Sequence, residues 1–392
     1  MEQLKGMEVS IAVAEAVKLA DVDVVCAYPI TPQTHVVEHL AELVADGELD
    51  AEFVPVESEH SAMSVSAGSS AAGARTFTCT TSQGLALMSE IVYIVASMRL
   101  PVVMTLMNRS LSSPLSIWND HSDVMSIRDC GWIQTFVENG QEAFDMNIIA
   151  YRVGEDRNVL LPFIVNADGF ILSHVIEPIR IMDRETVNRF LPPYNPKIRL
   201  HPDKPVTMGC FAMPNLFTEA KKAQQEALKD SMPTILKAFE EWGQLTGRYY
   251  HPIEKYKTDG ADVLFVTMGS FGETASVAVD ELLNEGQSVG LIKIRLWRPF
   301  PFDDFRKAAA QAKVLVVLDR AISFGGPGGP VASELRSALY DEPAPPKVVN
   351  MVAGLGGRDV GVEDFKAMYY GALDMAQKGV KEEDFQIYGV RE

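Results

Sequence analysis

Val24-Val25-Cys26-Ala27-Tyr28-Pro29-Ile30-Thr31-Pro32 decides the fold, because it ends a buried strand and opens a helix with a hydroxyl at the junction. Val24 to Ala27 is a short apolar run of the kind that makes a covered strand. Past the junction, Val36, Val37, Leu40 and Leu43 recur at helical spacing, with Glu38, Glu42 and Asp46 on other faces. Thr31 before Pro32 reads as an N-cap followed by a proline at the first helical position, which predicts a helix over 32–46. Unpaired backbone N–H groups at such a start, with the positive end of the helix dipole, favour a carboxylate or a phosphate. Taken locally, Thr31 also fits the plainer role of capping its own helix.

The pattern repeats outward. Strands expected at Val24–Ala27, Phe53–Pro55, Arg75–Thr80, Val102–Met107 and Leu160–Asn166 alternate with helices over 32–46, from Ser58, at Leu85–Ser97 and near Gln141–Val153. Such alternation makes a doubly wound, mostly parallel α/β sheet whose ligands sit at the carboxyl ends of the strands. Thr31, Thr81-Ser82-Gln83-Gly84 and Asn108-Arg109 all fall at such ends, which implies one shared pocket. The first domain spans 1–257, and its stretch from about 180 to 257 is a connector. There, prolines at 192, 193, 196, 202 and 205 mark an extended crossing, and Glu219 to Trp242 reads as one long polar helix. A second α/β domain, 258–392, follows, with strands at Val263–Thr267, Val289–Leu296, Val314–Leu318 and, last, Val348–Val352. Its Gly325-Gly326-Pro327-Gly328-Gly329-Pro330 run reads as a tight loop, not a phosphate loop, since no Lys-Ser or Lys-Thr follows.

Across 392 residues, 35 Lys+Arg face 53 Asp+Glu, and the net charge of −18 argues against nucleic acid and anionic membranes as partners. The most apolar stretch, Ala86 to Met107, is interrupted by Glu90, Arg99 and Pro101 and divides into a helix and a strand rather than spanning a membrane. Residues 1–6 carry Glu2 and lack the apolar core of a signal peptide, so a cytoplasmic location is expected. Cys26, Cys79, Cys130 and Cys210 lie far apart without a CxxC pair, which excludes a disulfide framework, a zinc site or an iron–sulfur ligand set. Three of them sit in or beside apolar runs and are expected as buried free thiols.

Ser58 can cap a helix whose body, Ala62 to Gly73, is so rich in Ala, Ser and Gly that another backbone or subunit can approach closely. Glu59 occupies its first turn, where it either complements the helix dipole or offers a carboxyl to a ligand, while Glu57 is expected to face solvent. Arg109 is the only Lys or Arg between Arg99 and Arg128, and it ends a strongly apolar strand. A guanidinium there is costly unless paired, and its fork suits a carboxylate, whether from a ligand or from Asp120 or Asp123. No nucleophile elbow surrounds Ser82, so backbone N–H groups of Ser82, Gln83 and Gly84 offered to a ligand are the better reading. His60 lacks partners at ligand spacing, so no metal site is expected, and His121 reads as a hydrogen-bonding loop residue.

Together these stretches resemble the 2-oxoacid:acceptor oxidoreductase family, and within it the alpha subunits of pyruvate:ferredoxin oxidoreductase (pyruvate synthase). The residues that carry the resemblance are Tyr-Pro-Ile-Thr-Pro at 28–32, Glu-Ser-Glu-His-Ser-Ala at 57–62, Thr-Ser-Gln-Gly-Leu-Ala-Leu-Met at 81–88 and Asn-Arg-Ser-Leu-Ser-Ser-Pro at 108–114. Further matches are Ile-Trp-Asn-Asp-His at 117–121, Arg-Asp-Cys-Gly-Trp-Ile-Gln at 128–134, Asp-Gly-Phe-Ile-Leu-Ser-His at 168–174, Arg-Pro-Phe-Pro at 298–301 and Gly-Leu-Gly-Gly-Arg-Asp at 354–359. The resemblance implies a pyrimidine-type domain of a thiamine diphosphate enzyme, followed by a transketolase C-terminal-like domain that serves assembly. It implies oxidative cleavage of a 2-oxoacid with coenzyme A to acyl-CoA, CO2 and reduced ferredoxin. A glutamate in that family hydrogen-bonds N1′ of the cofactor's aminopyrimidine and so promotes loss of the thiazolium C2 proton; Glu59 matches it. Thr31 and Arg109 match the residues that hold the substrate carboxylate, and Ser82, Gln83 and Gly84 would line the cofactor pocket.

The chain has no Gly-Asp-Gly segment to hold Mg2+ and no cysteine cluster for [4Fe–4S] centres. By the same resemblance, partner subunits bring these: beta the thiamine diphosphate and its Mg2+, delta the iron–sulfur clusters, gamma the coenzyme A contacts. Thr31 favours a small 2-oxoacid, namely pyruvate, whereas Ser110 and Ser113 stand where alanines are expected and leave phenylglyoxylate or a branched-chain 2-oxoacid open. A non-catalytic assembly subunit also stays open, while a free-standing nucleotide-binding enzyme lacks the GxGxxG it would need.

Overall fold

The computed structural model describes residues 2–379 and 385–391, so Met1, 380–384 and Glu392 of the two expected domains lie outside it. In chain order come β1 (Gln3–Glu8), α1 (Val9–Leu19), β2 (Val24–Ala27), α2 (Thr34–Ala45), β3 (Glu52–Pro55), α3 (Glu59–Ala72), β4 (Thr76–Thr80), α4 (Ser82–Ser97), β5 (Val103–Asn108), α5 (Ser122–Ser126), β6 (Ile133–Phe136), α6 (Gly140–Gly154) and β7 (Phe163–Asp168). They continue through β8 (Ile176–Ile181), α7 (Arg184–Phe190), α8 (Pro214–Asp230) and α9 (Met232–Thr246). The remainder is β9 (Ile253–Tyr256), β10 (Val263–Thr267), α10 (Phe271–Asn284), β11 (Val289–Ile294), β12 (Leu296–Arg298), α11 (Phe302–Ala309), β13 (Val314–Asp319), α12 (Pro330–Leu339), β14 (Lys347–Val352), α13 (Val362–Lys378) and β15 (Phe385–Ile387).

The N-terminal sheet runs β12-β6-β7-β5-β4-β2-β3, parallel except where β12 meets β6. From β2 the chain passes to β3 on one side and to β4 on the other. Such a reversal opens a crevice between β2 and β4 at their carboxyl ends, the place where doubly wound sheets bind ligands. The C-terminal sheet runs β15-β14-β13-β10-β11-β9, parallel except for β9. One core joins α1, α2, α6 and α9 to the first sheet through residues such as Val13, Leu40, Phe144 and Trp242. A second is continuous between the sheets, with Met104, Ile164 and Trp297 from the first and Leu264, Ile292 and Leu315 from the second. A third covers the outer face of the C-terminal sheet with α10 and α13.

Several expectations are corrected. Thr31 does not cap α2: the Thr31–Pro32 peptide is cis, Thr31 is exposed, and the helix begins at Thr34 behind Gln33. The reason is tertiary, since buried Gln33 turns inward, donating from Nε2 to the Tyr28 carbonyl (2.7 Å) and accepting from Cys79 Sγ (3.8 Å). The single polar helix over 219–242 is two helices, broken at Ser231, whose hydroxyl donates to Leu228 O (2.6 Å), and at Pro233, which has no N–H. α9 still lies over the first sheet, burying Ile235, Phe239 and Trp242.

The apolar run 289–296 is not one strand. Arg295 is buried in it and binds His251 O, Glu254 and Glu142, while the Arg295 and Leu296 N–H groups both donate to Pro252 O. The chain therefore bends there, and β12 joins the N-terminal sheet instead. Val348–Val352 is not the last strand, because β15 adds to β14 through a short, half-exposed pairing that periodicity does not reveal. The Gly-rich run after β13 is the expected tight loop. Asp319 accepts from Val331 N (2.8 Å) and Ala332 N (3.0 Å), so an internal carboxylate occupies the start of α12. Burial pushes that carboxyl up to about 7.

Candidate active site

Glu59 opens α3, whose N-cap Ser58 stays in extended backbone and accepts from Ser61 N at 3.2 Å. The cap contributes ~1 kcal/mol and fixes where the helix starts, hence where Glu59 points. Glu57 is exposed and takes the Ser61 hydroxyl (2.5 Å), whereas Glu59 is only 7% exposed. Among the described residues, nothing hydrogen-bonds or ion-pairs with the Glu59 carboxylate. The residue is largely buried, yet its carboxylate oxygens are not among the fully enclosed unpaired polar atoms, so a ligand can reach them.

Gly84 backs this carboxylate directly. A Cβ there would collide with Thr80 Oγ1 and come within 2.8 Å of Glu59 Cγ and Oε1. The missing side chain of Gly84 thus leaves the room in which Glu59 sits. Gly84→Ala is expected to destabilise the chain by ~1–3 kcal/mol through overpacking. It should also cut turnover at least tenfold by displacing Glu59, which thermal unfolding and steady-state assays of the assembled complex would measure.

Ser82 and Gln83 are also the first turn of α4, not a loop before it, because Thr81 in extended backbone is the N-cap. Ser82 takes φ +44°, a left-handed conformation that costs a non-glycine residue ~1–3 kcal/mol and persists only where its surroundings over-determine it. They do: Ser82 N–H donates to Asp123 Oδ2 (3.1 Å) and its hydroxyl to Ser110 O (2.5 Å). The Ser82 N–H is therefore spent internally, contrary to its expected offer to a ligand. The Gln83 side chain accepts from the Ser82 hydroxyl and is half-buried at the rim. Thr80, Thr81 and Ser110 hydroxyls are buried there without partners.

Arg109 directly follows β5 and is 6% exposed, yet among the described residues no carboxylate pairs with its guanidinium. Nε donates to Ser116 O (2.8 Å) and Nη1 to Thr31 O (2.8 Å), leaving Nη2 free among the described residues. Burial pulls this guanidinium below its ordinary value, and Asp123 counters. The internal salt bridge to Asp120 or Asp123 is not made. Asp123 instead accepts the Arg109 backbone N–H (3.0 Å), with Ser82 N, Val124 N and Asn108 Nδ2 as its other donors. Burial pushes the Asp123 carboxyl up to about 7 against those four N–H groups. Sequence reading missed this hub because Asp123 sits in the first turn of α5, a helix of five residues too short for periodicity to single it out. Four strand ends are thereby linked: Glu59 to Gly84 by contact, Ser82 to Arg109 through Asp123, and Arg109 to Thr31.

The lip of this site is apolar and open, with Tyr28, Leu115, Ile117 and Trp118 exposed. Cavities of about 830 Å³ beside Arg298–Lys307 and about 650 Å³ beneath Pro192–Pro196 are lined by other residues. Cys26, Cys79 and Cys130 are buried free thiols as expected, and Cys210 is exposed. No helix among the described residues is long and apolar enough to cross a membrane.

Residues 15–240 match the family described as "Pyruvate flavodoxin/ferredoxin oxidoreductase, thiamine diP-bdg", and 261–365 match "Pyruvate:ferredoxin oxidoreductase core domain II". Pyruvate synthase subunit PorA of Pyrococcus furiosus is 47% identical over 96% of this chain and 94% of its own length. That of Methanocaldococcus jannaschii is 48% identical over 94% of each. Ketoisovalerate oxidoreductase subunit VorA of Pyrococcus abyssi is 41% identical over 97% of this chain and 96% of its own. Among solved structures, 2-oxoglutarate:ferredoxin oxidoreductase from Magnetococcus marinus, with 2-oxoglutarate, coenzyme A and succinyl-CoA bound, superposes with TM-score 0.70 at 21% identity, covering 94% of this chain and 65% of that one. A split-gene transketolase, at 15% identity, superposes with TM-score 0.55 over 94% of this chain and 99% of that one. The two likenesses bear out the pyrimidine-type and transketolase-like architecture, and by its sequence matches the chain belongs to the pyruvate:ferredoxin oxidoreductase family.

Proposed function

We propose that this chain is the alpha subunit of a multi-subunit, thiamine-diphosphate-dependent 2-oxoacid oxidoreductase. It converts pyruvate and coenzyme A to acetyl-CoA and CO2, with electrons passed to ferredoxin, or runs the reverse. The observation that carries this reading is the buried, partnerless Glu59 carboxylate in contact with Gly84, joined through Asp123 to an Arg109 whose Nη2 is free. These residues fit the pyrimidine side of the cofactor and a substrate carboxylate. When bound, thiamine diphosphate supplies the carbon nucleophile and the electron sink for decarboxylation.

Glu59 holds the proton shared with N1′ of the aminopyrimidine, at a position Gly84 keeps open. The Thr31 hydroxyl and Arg109 Nη2 bind the 2-oxoacid carboxylate in a charge-assisted pairing. Ser82, Gln83 and Gly84 shape the cofactor pocket, with the Thr80, Thr81 and Ser110 hydroxyls in reserve for polar groups. The open apolar lip is the seat of the beta subunit, which carries the diphosphate and Mg2+; exposed patches of this kind mark interaction surfaces. Delta carries [4Fe–4S] clusters and gamma the coenzyme A contacts. The subunit names of the PorA and VorA relatives support a multi-subunit enzyme, and the coenzyme A bound in the Magnetococcus enzyme supports coenzyme A as co-substrate.

Residues 1–257 form the pyrimidine-type unit with its connector from about 180, and 258–392 the transketolase-like unit. Three buried free thiols support a reducing cytoplasm. Turnover of the assembled complex on pyruvate, 2-oxoisovalerate and phenylglyoxylate tests the substrate. Pyruvate should exceed the others at least tenfold in kcat/KM, and negligible pyruvate turnover rejects it.

A further inference from the structure

We propose that the C-terminal unit is a working part of the substrate pocket: Arg320, Ser270 and the 354–359 loop position Arg109 through the Ser116–His121 segment. This rests on the reading of Arg109 as the substrate-carboxylate anchor and extends it to residues assigned no role beyond assembly. Of the two carbonyls that hold the Arg109 guanidinium, Thr31 O follows β2 and Ser116 O belongs to a loop that has little structure of its own. Arg109 Nε donates to Ser116 O, and Ser110 N donates to Trp118 O at 3.0 Å. The next three residues are fastened to the other unit. Gly357 N donates to Asn119 O (2.6 Å), Gly356 N to Asp120 Oδ2 (3.1 Å), and His121 N to Arg320 O (2.7 Å).

Behind them lies a buried ionic cluster. Asp168, at the end of β7, accepts from His121 Nε2 (2.8 Å), Arg320 Nη1 (2.7 Å), Ser270 N (2.8 Å) and the Ser270 hydroxyl (2.5 Å). Burial alone would raise this carboxyl, but Arg320 and His121 hold it well below the usual range, so it stays charged and keeps both partners. Two glycines make the approach possible. A Cβ at Gly269 would come within 2.8 Å of Asp168 Oδ2, and one at Gly357 would collide with Trp118 Cβ. Were the cluster only glue between the units, it would not need to grip the backbone of the segment that carries Ser116 O, the acceptor of Arg109 Nε.

The test uses the assembled complex with Gly357→Ala and Ser270→Ala, each alone and combined with Arg109→Lys. Gly357→Ala pushes on Trp118, while Ser270→Ala is milder and keeps the measurement possible should the first fail to assemble. Expected are an increase in KM for pyruvate of about tenfold for Gly357→Ala and about threefold for Ser270→Ala, with kcat changed less than twofold. In the Arg109→Lys background both increments should shrink below twofold, because the group being positioned is already altered. Unchanged KM with a lowered thermal midpoint, or KM increments that multiply in the double variants, overturns the proposal. If Arg109→Lys alone leaves KM unchanged, the anchor reading itself falls, and the positioning proposal with it.

Discussion

Glu59→Gln lowers turnover of the assembled complex by about two orders of magnitude or more, while the complex still forms and takes up cofactor. The amide has the size and shape of the carboxyl, so the space left by Gly84 is refilled without strain. What it lacks is the ability to hold a proton shared with a ring nitrogen. Because the Glu59 carboxylate has no hydrogen-bond partner among the described residues, the substitution should leave thermal stability unchanged or raise it. Steady-state turnover and the unfolding midpoint, measured together, separate this from a folding defect. Activity within threefold of the parent would remove Glu59 from the chemistry and return it to complementing the α3 dipole.

Arg109→Met should lower kcat/KM for pyruvate about 100-fold, mostly through KM, the size expected when a charge-assisted pairing worth ~2–3 kcal/mol is lost. Methionine fills much of the volume but donates nothing, so Ser116 O and Thr31 O also lose their donors. The turn that carries Thr31 should therefore loosen, and Arg109→Met should be less tolerated than Thr31→Ala, whose side chain is exposed. KM and kcat for both variants check this, and a larger loss for Thr31→Ala would reverse the roles given to the two residues.

The parallel alternation, the strand ends that carry Thr31, Ser82 and Arg109, and the start of α3 at Ser58 were legible because periodicity and capping are local signals. Glu57 was legible as the solvent-facing acid and Glu59 as a first-turn residue of α3, whereas the burial of Glu59 came from packing against Gly84. The turn at Thr31 was misread because Gln33, a residue with no pattern of its own, is drawn inward by Tyr28 and Cys79. The bend at Arg295 hid in an apolar run, since its partners His251, Glu254 and Glu142 come from other elements.

By itself the sequence determined the parallel alternation of strands and helices around the site, and which chemical groups stand at the strand ends. Only the tertiary structure decided that Asp123 would bind backbone N–H groups rather than the Arg109 guanidinium, and that Asp168 would reach across to Ser270 and Arg320. Local patterns report a residue's neighbours along the chain, whereas the partner of a buried charge is chosen by whatever packing brings within hydrogen-bond reach.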